Sequence, residues 1–263
     1  MRVFLTGAGG VMGRHVVRHF ANLLPGSEVF ANKVDLTNLE AVKAALGEAG
    51  PFDKVIHLAA IVPVVVVDAN PVHAFAVNVG GTINLLTALE GQEASFLYCS
   101  SSHIYAPSDE LITENAEKAP ISFYGRTKWA AENAAAAICE ATGRGFCAAR
   151  VFSTHDPAQD ASYLRTAIKR RLAEENLDLP FMLQGAESVR DFLSAERAAE
   201  LVVRLAIASA TGPVNVGSGK GMKIRDFVQA LSPRPLDIRA MGGANSLVAD
   251  VSRLRSILGD VHV

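Results

Sequence analysis

Residues 6–13 read Thr6-Gly7-Ala8-Gly9-Gly10-Val11-Met12-Gly13, directly after a short apolar run and directly before an amphipathic one. Glycines at 7, 10 and 13 permit a tight turn, a close approach of backbone to a pyrophosphate, and close packing of a helix on a strand. The phosphates then rest at the positive N-terminus of the helix. A glycine-rich match alone is weak; its weight here comes from lying between a strand and a helix at the start of the chain. The segment predicts that Gly7, Gly10, Val11, Met12 and Gly13 bind a dinucleotide.

The rest of the first half repeats the same rhythm. Strands are expected over 2–5, 28–31, 54–58, 95–99 and 145–151, with helices over 11–24, 39–46, 71–90 and 122–141. Strands alternating with helices imply βαβ units and a parallel sheet covered on both faces. The near-continuous apolar strands agree with burial on both sides. The expected fold is therefore α/β, a doubly wound parallel sheet of Rossmann type with a small C-terminal substrate-binding lobe. After residue 151 the rhythm loosens into a loop over 153–160, a basic helix over 163–173, a strand over 179–183, a strand over 213–216 and a helix over 222–231. We expect an NAD(P)-binding core over 1–152 and, over 153–263, mainly the lobe, with about 187–217 returning to the core sheet.

Bulk properties narrow the partner. The 263 residues carry a formal net charge of -2 with both signs dispersed, so no basic stripe points to nucleic acid or a membrane surface. The longest apolar run, 61–67, is broken by Pro63, whereas a membrane span needs ~20 residues. Glycines fall where a signal peptide would carry its apolar core, which predicts a cytoplasmic protein. Cys99, Cys139 and Cys147 are odd in number and lack ligand spacing, so neither a structural disulfide nor a metal site is expected. A small molecule is the expected partner.

Three further features carry chemistry. Dinucleotide sites usually place an acid about 20 residues after the glycines to hold the adenosine ribose. Here the second strand ends Phe30-Ala31-Asn32-Lys33 without one, which leans the cofactor from NAD toward NADP; Asp35 and Leu36 are placed to serve the adenine. Tyr124 and Lys128 stand at i and i+4 on a helix and share a face. A cation beside a phenol favours its ionised form and makes it a usable acid or base. Finally, a buried strand ends in Ser100-Ser101-Ser102-His103, at the edge where open parallel sheets bind ligands. Such a run by itself is more often a turn.

Together these segments resemble the extended short-chain dehydrogenase/reductase family of nucleotide-sugar epimerases, dehydratases and ketoreductases. Thr6 to Gly13 matches its TGxxGxxG, Asp35-Leu36-Thr37-Asn38 its DLTD, and His57-Leu58-Ala59-Ala60 its HLAA. Asn78 to Thr82 matches NVxGT, Ser100 to Ala106 matches SSxxVYG, and Tyr124 to Lys128 matches YxxxK. Arg190-Asp191-Phe192 matches RDF, and Asn215 to Gly219 matches NVGSG. The resemblance implies that Tyr124 moves a proton at the reacting sugar oxygen and that Lys128 holds the nicotinamide ribose and lowers the Tyr124 pKa. Ser101 would hydrogen-bond the same oxygen. Leu58, Ala59, Ala60 and Asn78 would border the cofactor. Ser102, His103 and Ser153 would face the substrate, and Arg190, with Arg239 as a second contact, its diphosphate. His57 reads as structural. Relatives dimerise through two helices per subunit, and the alanine-rich stretch 129–137 suits a homodimer.

Departures narrow the reading. The dehydratases carry Asp-Glu after the active-site Ser or Thr, where this chain has Ser102-His103, so dehydration is not expected. The run 61–67 is either an apolar pocket wall suited to a deoxygenated sugar or plain core. The segment Ser153-Thr154-His155-Asp156-Pro157 replaces the family's Asn-Val-Tyr-Gly-Pro, and the chain is short for an epimerase, which favours a reduced cap. The expected activity is NAD(P)H-dependent reduction of the 4-keto group of a nucleotide-linked deoxysugar. A 4-epimerase with tightly held NAD, a dehydrogenase of free sugars or sugar acids, and a non-catalytic dinucleotide sensor stay open as alternatives.

Overall fold

The computed structural model describes residues 1–259. Its first half runs β1 (Arg2–Thr6), α1 (Val11–Leu23), β2 (Glu28–Asn32), α2 (Leu39–Ala49), β3 (Lys54–His57), α3 (Val64–Ala69), α4 (Pro71–Phe75), α5 (Gly81–Ala88), β4 (Ser95–Ser101), α6 (Phe123–Ala141) and β5 (Phe146–Val151). A π turn at Ala76–Gly80 joins α4 to α5, and a 3-10 turn at Ser102–Ile104 follows β4. The second half adds β6 (Ser153–His155), α7 (Leu164–Glu174), β7 (Phe181–Gln184), β8 (Val189–Ser194), α8 (Ala195–Ile207) and β9 (Gly212–Val216). It closes with β10 (Gly221–Lys223), α9 (Ile224–Leu231), β11 (Ile238–Met241), β12 (Ser246–Leu247) and α10 (Ser252–Leu258).

Six strands form one parallel sheet in the order β2-β1-β3-β4-β5-β9. Alternation sorts their side chains: Phe4, Val55 and Phe96 enter the layer under α2, α5 and α6, while Leu5, Ile56 and Leu97 enter the layer under α1 and α8. Full burial of one such side chain stabilises by ~1.5–3 kcal/mol. The chain is thus a doubly wound, Rossmann-type α/β protein. The strand order reverses between β1 and β3, which opens a crevice at their carboxyl ends, where such sheets bind ligands.

The lobe is built from short strands. β8 pairs in parallel with β6 and β12 and antiparallel with β10, while β7 pairs with β11. Ile168, Phe181, Leu183 and Val228 form its separate small core under α7 and α9. Within 187–217, β9 takes the edge of the main sheet beside β5 and α8 packs on α1. That edge being filled, β8 pairs within the lobe instead. The helix expected over 71–90 is interrupted at the π turn, where Asn78 turns its side chain inward, and the one expected over 222–231 begins only after β10.

A buried polar network ties the elements behind the crevice. Glu132 on α6 accepts from Arg150 on β5 at 2.6 and 3.0 Å, both side chains almost fully enclosed. Arg150 also donates to the Tyr105 hydroxyl at 2.8 Å, which donates to Asn215 Oδ1 on β9 at 2.7 Å. Each member is satisfied by another, the condition under which buried charge is tolerated.

Candidate active site

The glycine turn is shaped by contacts that no side chain fits. Gly7 has φ 74°, in the left-handed region, and a Cβ there would sit 2.7 Å from the Ala59 nitrogen. A Cβ at Gly13 would collide with the Gly7 carbonyl oxygen. α1 therefore starts against the end of β1. Gly10 occupies its N-cap and no side chain caps the helix, so its first N–H groups are left for a phosphate. Below the turn, His57 Nδ1 accepts from Thr6 Oγ1 at 2.6 Å and Nε2 donates to Thr82 Oγ1 at 3.0 Å. Thr82 in turn donates to the Asn78 carbonyl, which fixes this neutral tautomer. Burial lowers the imidazole to about 3, so His57 stays uncharged and structural.

A cleft of about 700 Å³ runs from this turn across the ends of β1, β3, β4 and β5 to the lobe. Ser101 ends β4. Tyr124 and Lys128 enter the cleft from α6, which Ser122 caps by accepting from the Gly125 N–H at 3.1 Å. α6 lies so close to the 3-10 turn that a Cβ at Gly125 would strike the His103 carbonyl oxygen. This approach brings the Tyr124 phenol into hydrogen-bond contact with the Ser101 hydroxyl. Ser101 Oγ also accepts from the His103 N–H at 3.2 Å, which fixes its orientation.

Burial pushes the Tyr124 phenol well above its ordinary value, and the Ser101 hydrogen bond opposes this only in part. The expected lowering by Lys128 does not prevail in the structure. Burial lowers the Lys128 ammonium to about 8, with Cys99 and Glu132 acting the other way, and Lys128 Nζ lies 4.2 Å above the Tyr98 ring. The phenol stays protonated at neutral pH, beside Ser101 and one helical turn from Lys128.

On the lobe side, Arg190 donates to the Val189 and Asn245 carbonyls at 2.8 and 3.0 Å, and no carboxylate among the described residues pairs with it. Its neighbour Asp191, fully buried, accepts from the Ser218 and Gly219 backbone N–H groups at 2.7 and 2.9 Å. A Cβ at Gly217 would sit 2.6 Å from Asp191 Oδ2, which explains the glycine there. The adjacent pair thus divides its work: Asp191 clasps the turn after β9 and Arg190 lines the cleft.

Gly7, Gly10, Val11, Met12, Gly13, Asp35, Leu36, Leu58, Ala59 and Ala60 line the end of the cleft beside the glycine turn. Ser101, Tyr124, Lys128, Ser153 and Arg190 line the remainder. Asn78 does not reach the wall; its amide accepts from Ile61 N–H at 2.7 Å and donates to Thr127 Oγ1 at 3.0 Å, so it braces the loop that does. Ser102 is buried in the 3-10 turn behind the wall. His103 also stands behind it, its ring packed edge-on against Tyr124 at 5.5 Å. Burial and the Arg190 charge lower its imidazole to about 4. Arg239 is a correction: it projects from β11 into solvent, chelated by Asp237 at 2.9 and 3.0 Å, away from the cleft. The run 61–67 divides, with Ile61 and Val62 on the cleft, Val67 in the core against Tyr124, and Val65 and Val66 exposed. Sequence reading missed Gln159, Tyr163 and Phe192, which line the cleft from the lobe. Their loops and short strands carry no periodic signal.

Comparison with known proteins decides the family. The model of the NAD dependent epimerase/dehydratase family matches residues 3–217. The chain belongs to this family. As an NAD dependent epimerase/dehydratase family protein it is an enzyme that uses a nicotinamide dinucleotide, and the glycine cradle and uncapped α1 fit that group. It is 31% identical to GDP-6-deoxy-D-mannose reductase of Pseudomonas aeruginosa over 88% of this chain and 79% of that protein. The structure of RMD from Pseudomonas aeruginosa complexed with NADPH superposes with a TM-score of 0.85 at 25% identity, over 98% of this chain and 92% of that one. The Thermus thermophilus UDP-glucose 4-epimerase complex with NAD superposes with a TM-score of 0.81 at 26% identity, over 97% and 92%. Among the described residues, no helix of this family member is long and apolar enough to cross a membrane, and no cluster of ligating side chains could hold a metal ion.

Proposed function

We propose that this protein is an NADPH-dependent reductase of a nucleotide-linked 4-keto deoxysugar. The observation that carries the reading is the Tyr124 phenol beside Ser101, one helical turn from Lys128, at the mouth of the glycine cradle. Bound in that cradle, NADPH supplies the hydride for a carbonyl reduction. Tyr124 donates its proton to the developing alkoxide, and Ser101 hydrogen-bonds the same oxygen. Lys128 holds the nicotinamide ribose and places positive charge beside the phenol as its proton leaves. Arg190, a half-buried guanidinium without a carboxylate, suits a substrate diphosphate, and Ile61 and Val62 offer an apolar wall to a deoxygenated carbon. His103, neutral and behind the wall, leaves the site without the acid-base pair that dehydration needs.

Support for NADPH over NADH comes from the rim of the glycine turn. The Lys33 Cε lies 3.7 Å from where a Cβ of Gly9 would be, and Arg14 sits on the Gly9 carbonyl. Two cations at this rim, with no carboxylate in the segment 30–33 at the end of β2, favour a 2′-phosphate. A homodimer built on α3, α4 and α6 completes the proposal; Val65, Val72 and Phe75 expose apolar surface there.

The test is calorimetric titration with NADPH and NADH, followed by GDP, UDP and dTDP on the loaded protein. Tight NADPH binding followed by one nucleoside diphosphate is expected. Dinucleotide binding with no diphosphate binding would shift the reading to a free-sugar or sugar-acid dehydrogenase. Product formation without net NADPH consumption would identify an epimerase.

A further inference from the structure

We propose that a second cavity, at the edge of the sheet opposite the cleft, is a binding site for a small oxyanion, either phosphate or a short carboxylate. The cavity holds about 200 Å³ and lies among the amino ends of β3, β4 and β5 and the last turn of α8. Its wall includes Lys54, Ser95, Cys147, Ser209 and Thr211. Ligand pockets for nucleotide-sized molecules are larger, ~300 Å³ or more, so only a small anion fits.

Lys54 opens β3 where α8 closes over the sheet, and it is only 7% exposed. Its ammonium donates to Ser95 Oγ at 3.0 Å and Ser209 Oγ at 3.1 Å, both neutral. An ammonium has three N–H donors, so one is left over. No carboxylate among the described residues lies within ion-pair distance, and the adjacent Asp53 accepts instead from the Arg2 backbone N–H at 2.6 Å. Lysines are seldom buried unless paired with an acceptor of opposite charge.

Three features around Lys54 fit an anion. Ser209 has φ 50°, the one left-handed non-glycine among the described residues, at a position after α8 that ordinarily favours glycine or asparagine. A serine there brings a hydroxyl to Lys54. Arg253 on α10 stands just outside the cavity, donating to the Thr211 carbonyl at 2.9 Å. Cys147 supplies no counter-charge: burial pushes its thiol up to about 12, although Arg253 and Lys54 pull it down. A buried cation, two hydroxyls and an uncharged thiol lining a small cavity make a seat for one or two negative oxygens. The site is separate from the cleft. α8 runs 13 residues from Ala195, which lines the cleft, so its far end lies about 20 Å away.

The experiment is calorimetric titration of phosphate and, separately, succinate into protein saturated with NADPH, with ionic strength held constant by chloride. Saturable binding of one anion per chain is expected, and whichever compound binds names the source. Lys54→Met should abolish that binding. Ser209→Gly, which suits the left-handed backbone and preserves the fold, should weaken it severalfold. Failure of both anions to bind the wild type would overturn the proposal. So would equal binding by Lys54→Met, which would place the anion in the cleft, or unchanged binding by Ser209→Gly.

Discussion

Tyr124 is the residue on which the proposed chemistry turns, and its burial keeps the phenol protonated at neutral pH. A phenol held above its ordinary pKa is a weak acid, so in the proposed reduction its proton leaves only as the alkoxide develops beside Lys128. Tyr124→Phe should keep the helix and the Lys128 contact while lowering turnover by ~100-fold or more, with NADPH affinity retained; steady-state kinetics beside a fluorescence titration separates the two. Lys128 gives a pH signature with opposed slopes. Its folded-state value of about 8 lies below its ordinary value, so above about 8 the unfolded chain holds this proton more firmly than the native one. Stability attributable to Lys128 should therefore rise with pH from about 8 toward the unfolded value, while kcat/KM falls as the ammonium is lost. Urea unfolding and kinetics across that window, compared with Lys128→Met, check both signs. Arginines show what residue type alone conveys. Arg190 and Arg239 both suggested diphosphate contacts, but only Arg190 lies on a strand that borders the cleft.

Among the elements, α6 was the most legible, because Tyr124 and Lys128 at i and i+4 announce a shared face from local sequence. What places that face against Ser101 is Gly125, and its reason is a contact with the His103 carbonyl 22 positions earlier in the chain, which no local pattern reveals. Gly125→Ala should displace α6 from β4. We expect a loss of ~1–3 kcal/mol in urea unfolding and a fall in kcat larger than any change in KM for NADPH. The first strand-turn-helix was legible for the opposite reason, since the collisions that demand Gly7 and Gly13 recur wherever this turn recurs. The lobe was not. β6, β10 and β12 have two or three residues each, too short for alternation to register, and their pairing with β8 is nonlocal.

For the molecule as a whole, the six-stranded sheet followed from alternation of apolar strands with amphipathic helices, whereas the network joining its far side did not. Nothing in the local sequence marks Glu132, Arg150, Tyr105 and Asn215 as buried partners, because charged and amide groups are usually exposed. In the structure they bind α6, β5, the segment after β4 and β9 into one unit. Glu132→Ala should strand the Arg150 charge in the interior and lower the unfolding free energy by ~3–5 kcal/mol, measured by chemical denaturation. The groups of the proposed chemistry all stand on this unit: Ser101 on a central strand, Tyr124 and Lys128 on the helix the network anchors. Arg190, Tyr163 and Phe192 stand on the other part, joined through a few strands and the Asp191 clasp. On the proposed reading, catalytic rate and substrate preference are written on separable pieces of the chain. A lineage could exchange the lobe and acquire a new sugar without disturbing proton transfer, and a graft of a relative's lobe onto this sheet should inherit the donor's preference while keeping this protein's dependence on Tyr124.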